Sequence, residues 1–261
     1  KEGSLSGRML DVPADYDRRF VLVDSAIGNQ IDEALQWLSD QSRAAPKEDG
    51  GYGALRAAIE DKFDYLSRRY LLEAIKATEV IPIVKAHMAM GRKVVVFHDY
   101  KKGGAVNPFD LSMSPAAADA EMAGKVAAFN AANADFRASF PELVSGLKGL
   151  RSPIEVFNRE FPGVMLINGD EKKADLLRRY KSFQSDDTGP QVMLVQSAKN
   201  KGWSGHDTTG KHQRVLINLG QPTAPTLAIQ QEGRIYRTGQ VSNAIMRYLN
   251  TGTNWERWTF A

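Results

Sequence analysis

Six short runs rich in β-branched and aliphatic residues punctuate the chain, and helix-forming stretches separate them. The clearest is Lys93-Val-Val-Val-Phe-His98. A continuous apolar run of this length suits a strand covered on both faces. Phe20–Asp24, Val164–Asn168, Val192–Ser197, Arg214–Leu219 and Ala244–Leu249 are the others. Helical patterns over Ala77–Met90, Glu171–Phe183 and Pro225–Tyr236 lie between them. Gly91 is placed to end the first of these helices and Asp170 to cap the second. Strands alternating with helices predict an α/β fold built on a parallel sheet with right-handed crossovers.

Two stretches are longer than such crossovers need. Residues from about 30 to 77 read as helices interrupted by the Gly50-Gly51-Tyr52-Gly53 turn. Residues from about 114 to 161 form a second block, in which eleven of the 23 positions from Ala116 to Ala138 are alanine. Alanine is the strongest helix former, so this bias predicts helix rather than disorder. Both blocks are expected to elaborate one lobe spanning residues 1–261. Lys101–Gly104 and Asn107-Pro108 mark a loop after the second strand. A chain of 261 residues can bury a core without staples, and with no cysteine it has neither disulfides nor a thiolate centre. The charge balance of 34 Lys and Arg against 31 Asp and Glu suits both an ordinary solvated surface and a weak nucleic-acid binder. No apolar run approaches the roughly 20 residues of a membrane helix. No secretory segment opens the chain, so the expectation is an intracellular protein without a membrane partner. Because the chain opens on Lys1, it reads as part of something longer.

Chemistry concentrates in Gln230-Gln-Glu-Gly-Arg234-Ile-Tyr-Arg237-Thr-Gly-Gln240. On a helix, arginines at this spacing share a face and can reach one anion together, and Gln230 lies one turn earlier on it. A guanidinium is permanently charged and its fork suits phosphate oxygens. By itself the pair also reads as two solvated arginines.

The segment resembles motif VI of superfamily 2 helicases and translocases, especially the Swi/Snf and strawberry-notch-like branches, in which Gln-x-x-x-Arg-x-x-Arg-x-x-Gln recurs. Further motifs follow the family order. Ser197-Ala-Lys199-Asn-Lys-Gly202-Trp-Ser-Gly205-His-Asp207 is similar to motif V, with Gly205-x-Asp207 resembling the Gly-x-Asp of DEAD-box proteins. This stretch is about one residue longer than the Swi/Snf form, which leaves open whether Gly202 or Gly205 holds the family's glycine position. Lys93–Tyr100 resembles the strand of motif IV, and Tyr248–Thr253 the strand and turn after motif VI. Asn168-Gly169 and the helix ending Ser182-Phe183 resemble the segment between motifs IV and V.

The resemblance implies a RecA-like C-terminal lobe, paired in the parent protein with an N-terminal RecA-like lobe that this chain lacks. ATP and Mg²⁺ would be bound by the complete two-lobed protein and not by this chain alone. Arg237 would be the arginine finger, and Arg234 would hold the γ-phosphate beside it. Gly205, Asp207 and Gln230 would line and sense the nucleotide. Ser197, Lys199, His98 and Tyr100 would touch a nucleic-acid backbone, DNA ahead of RNA. The alternative is a RecA-like scaffold that binds nucleic acid or a protein without turnover.

A P-loop needs Gly-x-x-x-x-Gly-Lys-Ser/Thr ahead of a helix. Gly205-His-Asp-Thr-Thr-Gly210-Lys211-His212 comes close, but it ends in histidine and runs into a strand pattern. The isolated chain is therefore expected to be inactive as an ATPase. No Gly-x-Ser-x-Gly elbow is present, and the histidines His87, His98, His206 and His212 lack metal-ligand spacing. Trp203 is a minor candidate for base stacking; like Trp255 and Trp258, it reads first as a packing residue.

Overall fold

The computed structural model describes residues 14–45, 50–99, 105–114, 119–169 and 172–260. In chain order the elements are β1 (Tyr16–Leu22), α1 (Ser25–Ala44), α2 (Gly51–Lys62), α3 (Tyr65–Glu79), α4 (Ile81–Ala89), β2 (Lys93–His98), α5 (Ala120–Ser139) and α6 (Pro141–Gly146). They continue with α7 (Pro153–Glu160), β3 (Met165–Ile167), α8 (Lys173–Gln184), β4 (Val192–Gln196), β5 (Arg214–Asn218), α9 (Pro225–Glu232), β6 (Ala244–Asn250) and α10 (Asn254–Phe260). No described helix is long and apolar enough to cross a membrane.

The strands form one sheet in the order β1-β6-β5-β2-β4-β3. β2 is central and parallel to both neighbours, with Val95 opposite Met193 on one side and Leu216 on the other. β3–β4 and β5–β6 are parallel as well. At the edge, Ala244 N donates to Asp15 O and Val23 N to Asn250 O, so β1 and β6 also run the same way. This is the expected α/β architecture, a parallel sheet flanked by helices. Every residue of β2 and β5 is buried, which explains their unbroken apolar patterns. β1 begins earlier than its apolar run suggested. Asp24 is not in the strand: in left-handed conformation, φ 46°, it caps α1 by accepting from Ile27 N. The helix expected over 77–90 is divided between α3 and α4, with Pro82 in the first turn of α4, the helical position that tolerates proline. Gly91 follows its end with φ 72°. Asp170, expected as a cap, lies outside the described residues, as do Tyr100 and the loop 101–104.

The described residues divide into two compact units. One comprises those within Lys1–Val21, Val80–Asp99 and Phe157–Leu249, and contains most of the sheet. Two of its strands, β2 and β5, open on buried cations, Lys93 and Arg214. Lys93 Nζ donates to the carbonyls of Phe183 (2.7 Å) and Ser185 (2.5 Å). Arg214 Nε donates to Gly205 O at 2.9 Å, and its guanidinium lies over the Phe183 ring and 3.6 Å from Asp186. Burial, then the neighbouring Arg214, pushes the Lys93 ammonium down to about 8.

The other unit comprises the described residues within Leu22–Glu79, Tyr100–Val156 and Asn250–Ala261. The two helical blocks read from the sequence meet here around one core. Ile31 and Leu38 of α1, Leu55 and Ile59 of α2, Leu72 of α3, Phe136 of α5 and Leu143 of α6 belong to it. The Gly50–Gly53 segment is not an interrupting turn: Gly50 precedes α2 and Gly51 begins it. A Cβ on Gly51 would stand 2.4 Å from the Ala128 carbonyl, so only glycine lets α2 approach α5 this closely. α10 is held by a buried ion pair, Lys76 Nζ to Glu256 Oε1 at 2.5 Å, both side chains 2% exposed. Glu256 Oε2 accepts from the Thr251 amide and hydroxyl, each at 2.6 Å. Burial pushes the Glu256 carboxyl up, but Lys76 and the Thr251 bonds outweigh it and hold the group below the ordinary range.

Glu256→Ala strands a buried ammonium, so chemical denaturation should show a loss of about 3–5 kcal/mol. Since the folded carboxyl binds its proton less readily than the unfolded one, this stabilisation should be complete above the ordinary glutamate range, about pH 4.3. It should decline as the pH falls below that.

Candidate functional site

The site grows from the end of α9. Pro225 starts this helix at a position where a missing N–H costs nothing. It stops at Glu232, one turn short of the expected Tyr236. Beyond it the amides of Arg234 and Ile235 turn to the carbonyls three residues back. The Arg234 carbonyl is diverted outward to the Gly205 amide at 2.7 Å. Glu232 anchors the end: Tyr248 Oη donates to one carboxylate oxygen at 2.7 Å and Arg18 Nη2 to the other at 2.5 Å. Gly239, φ 87°, turns the chain toward β6.

Arg234 and Arg237 therefore do not share a regular helical face, which corrects the sequence expectation. They converge through the neighbouring loop instead. Arg234 Nη1 donates to Trp203 O at 2.6 Å and its Nε to Gln230 O at 3.0 Å. Arg237 Nη1 donates to the Ser204 hydroxyl. Arg237 is exposed and Arg234 half-buried. Burial, and then Arg237 itself, lowers the proton affinity of Arg234. Among the described residues neither guanidinium has a carboxylate partner, whereas Arg18, Arg137, Arg214 and Arg247 all do.

The loop carrying the motif V resemblance is shaped by its own packing. Trp203 is 5% exposed and stacks on Tyr180, ring centroids 4.9 Å apart and 8° from parallel, so it is a core residue and offers no platform to a base. Gly202 supplies the left-handed turn, φ 83°. Gly205 serves a close approach instead, since a Cβ there would stand 2.8 Å from the Trp203 ring. Asp207 is fully buried. Its Oδ1 accepts from the amides of Thr209 (3.1 Å) and Gly210 (2.9 Å), its Oδ2 from the Ser242 hydroxyl (2.5 Å), and its carbonyl from Val241 N (2.9 Å). The carboxylate is thus committed to holding the loop against the segment that enters β6. Gln230 is exposed on α9.

The expected nucleic-acid contacts fare differently. His98, 1% exposed at the end of β2, is enclosed by the central strands, and burial pushes its imidazole down to about 4. It cannot touch a strand from there. Ser197, 7% exposed, donates to His98 O at 3.2 Å and accepts from Gln231 Nε2 at 3.2 Å, so it too faces inward. Lys199 is half-exposed, with no ion pair among the described residues. Tyr100 lies outside them.

Gln231 is the residue that sequence reasoning passed over. It is fully buried and bridges Ser197 to Asn218 Nδ2, 2.9 Å away, tying the start of the 197–207 loop and β5 to α9. The available signal was its spacing between Leu227 and Ile235, a polar residue in the middle of an apolar i, i+4 stripe.

No protein-family model matches this sequence, and a search of curated proteins finds no match. Solved structures do. The C-terminal part of the Fun30 ATPase domain is 13% identical over 72% of this chain and 44% of that one, with a TM-score of 0.43. The DUF1998 helicase MrfA, bound to DNA, is 13% identical over 70% of this chain, with a TM-score of 0.36. Domain 2 of the DEAD-box helicase Mss116p, bound to an RNA duplex, matches 70% of this chain at 13% identity, with a TM-score of 0.35. This chain spans less than half of the Fun30 chain and 18% of the MrfA chain.

Gly205→Ala should force the Trp203 ring off Tyr180. A loss of about 1–3 kcal/mol in thermal or chemical denaturation is expected, with a changed tryptophan emission spectrum.

Proposed function

We propose that this chain is the second lobe of an ATP-dependent nucleic-acid helicase or translocase and completes a nucleotide site whose P-loop lies on another lobe. The observation that carries the reading is the pair Arg234 and Arg237, bonded to the adjoining Trp203–Ser204 segment and without a carboxylate partner among the described residues. Two like charges held side by side repel each other, and an oxyanion relieves the repulsion. Arg237, the more exposed, acts as the finger on the γ-phosphoryl group, with Arg234 beside it. Charge spreading over the phosphoryl oxygens in the transition state is stabilised by such groups.

Gln230, exposed one turn before Arg234, senses the nucleotide. Asp207 and Gly205 act indirectly by setting the loop against which both arginines are held. Mg²⁺ belongs to the acidic motif of the first lobe; the described residues here contain no group of three or more His, Asp or Glu that could hold a metal. Lys199 contacts a nucleic-acid phosphate, a contact that positions the strand without reading its sequence. Closure of the lobes on ATP and reopening after hydrolysis advance the grip along the strand.

In the two-lobed protein, Arg237→Ala should lower the rate of ATP hydrolysis by about 10³–10⁵ while leaving nucleotide affinity within a few-fold. Steady-state turnover and nucleotide titration read these separately. Unchanged turnover overturns the finger assignment, and a two-lobed protein that binds nucleotide without hydrolysing it supports the scaffold instead.

A further inference from the structure

The loop and turn that hold the arginines are joined at two places, Gly205 N to Arg234 O (2.7 Å) and Val241 N to Asp207 O (2.9 Å). His206 lies between those anchors. Its Nε2 faces the Arg237–Gly239 turn, 3.8 Å from where a Cβ on Gly239 would stand. Its Nδ1 is buried with no hydrogen-bond partner. An imidazole held against a cationic turn without an acceptor of its own is an odd choice for packing.

We propose that His206 is the third member of the anion site, closing with Arg234 and Arg237 around a tetrahedral dianion such as a terminal phosphoryl group. The inference rests on the anion-binding reading of the arginine pair. The charged groups around the ring set its behaviour. Burial first, then Arg237 from the turn and Arg214 from β5, depress its proton affinity, and the adjacent Asp207 opposes them. On the α8 side the contact is the uncharged Gln184, whose amide donates to His206 O at 3.0 Å. Without an anion the ring is therefore neutral near pH 7. A dianion between the guanidiniums cancels the repulsion and accepts a hydrogen bond, so the ring takes one proton from solvent as the anion binds. The sign follows: binding is tightest at low pH and is lost as the pH rises through the proton affinity of the occupied site.

Sulfate is the probe, because it remains a dianion across about pH 5 to 8, the window in which imidazole titrates. The chain itself is used, labelled with ¹⁵N. In wild type, sulfate affinity should fall on going from about pH 5 to 8, by about tenfold for each unit by which the anion raises the ring's proton affinity. The His206 ring nitrogens should move to imidazolium shifts as sulfate is added. His206→Asn should bind sulfate with the weak high-pH affinity at every pH, and its amide spectrum away from the loop reports that it is folded. Arg237→Ala should lose sulfate binding altogether. Sulfate binding that needs the arginines but leaves the His206 nitrogens unmoved, or a His206→Asn variant as pH-dependent as wild type, overturns this inference and spares the arginine site. No sulfate binding at any pH, or binding indifferent to Arg237→Ala, overturns both.

Discussion

One backbone hydrogen bond organises the candidate site: the Gly205 amide donating to the Arg234 carbonyl. α9 has already stopped at Glu232, and because that carbonyl points at the loop it cannot join a resumed helix, so the residues beyond it form tight turns. The same bond brings the loop close enough for Trp203 O and the Ser204 hydroxyl to take one N–H from each guanidinium. It requires a residue at 205 that can pass the Trp203 ring without a side chain. Arg214 then clamps Gly205 from the other side through its carbonyl. Both arginines are oriented by groups that carry no formal charge, which leaves their positive charge uncompensated.

Elsewhere the fold spends its buried polar groups on position. Lys93 and Arg214 are taken into the start of the sheet and satisfied mainly by carbonyl oxygens, which fixes the 183–186 segment and the Gly205 loop against the strands. Gln231, Ser197 and Asn218 form a buried bridge between α9, the 197–207 loop and β5. Such networks are costly when incomplete, so they favour one arrangement of the chain over others of similar compactness. In the helical unit, the Lys76–Glu256 pair does the same for α10.

The central strands were readable because burial on both faces imposes an unbroken apolar run, whereas the exposed edge strand β1 was marked only over its last residues. The arginine pair was readable from residue type and spacing, although its helical setting was not. The spacing of Arg234 and Arg237 suits a helix, but α9 stops at Glu232 and the chain beyond it turns, its Arg234 carbonyl bonded to Gly205. His98 and Ser197 show the opposite failure. Their residue types suit a phosphate contact, but a strand's last residue and the one following it can face inward when helices cover the sheet, and here they do. Gly202 and Gly205 look interchangeable on paper. A left-handed φ at one and the Trp203 ring beside the other give them separate roles.

Local patterns alone determined the alternation of strand and helix, the parallel sheet, and the concentration of chemistry between Ser197 and Gln240, since periodicity, propensity and charge are properties of short segments. Which polar side chains face inward, where α9 stops, and that two arginines meet one loop without a carboxylate between them were decided by contacts between residues well separated in the chain. Those contacts depend on which surfaces remain open after the sheet has been covered, a quantity that no short segment contains.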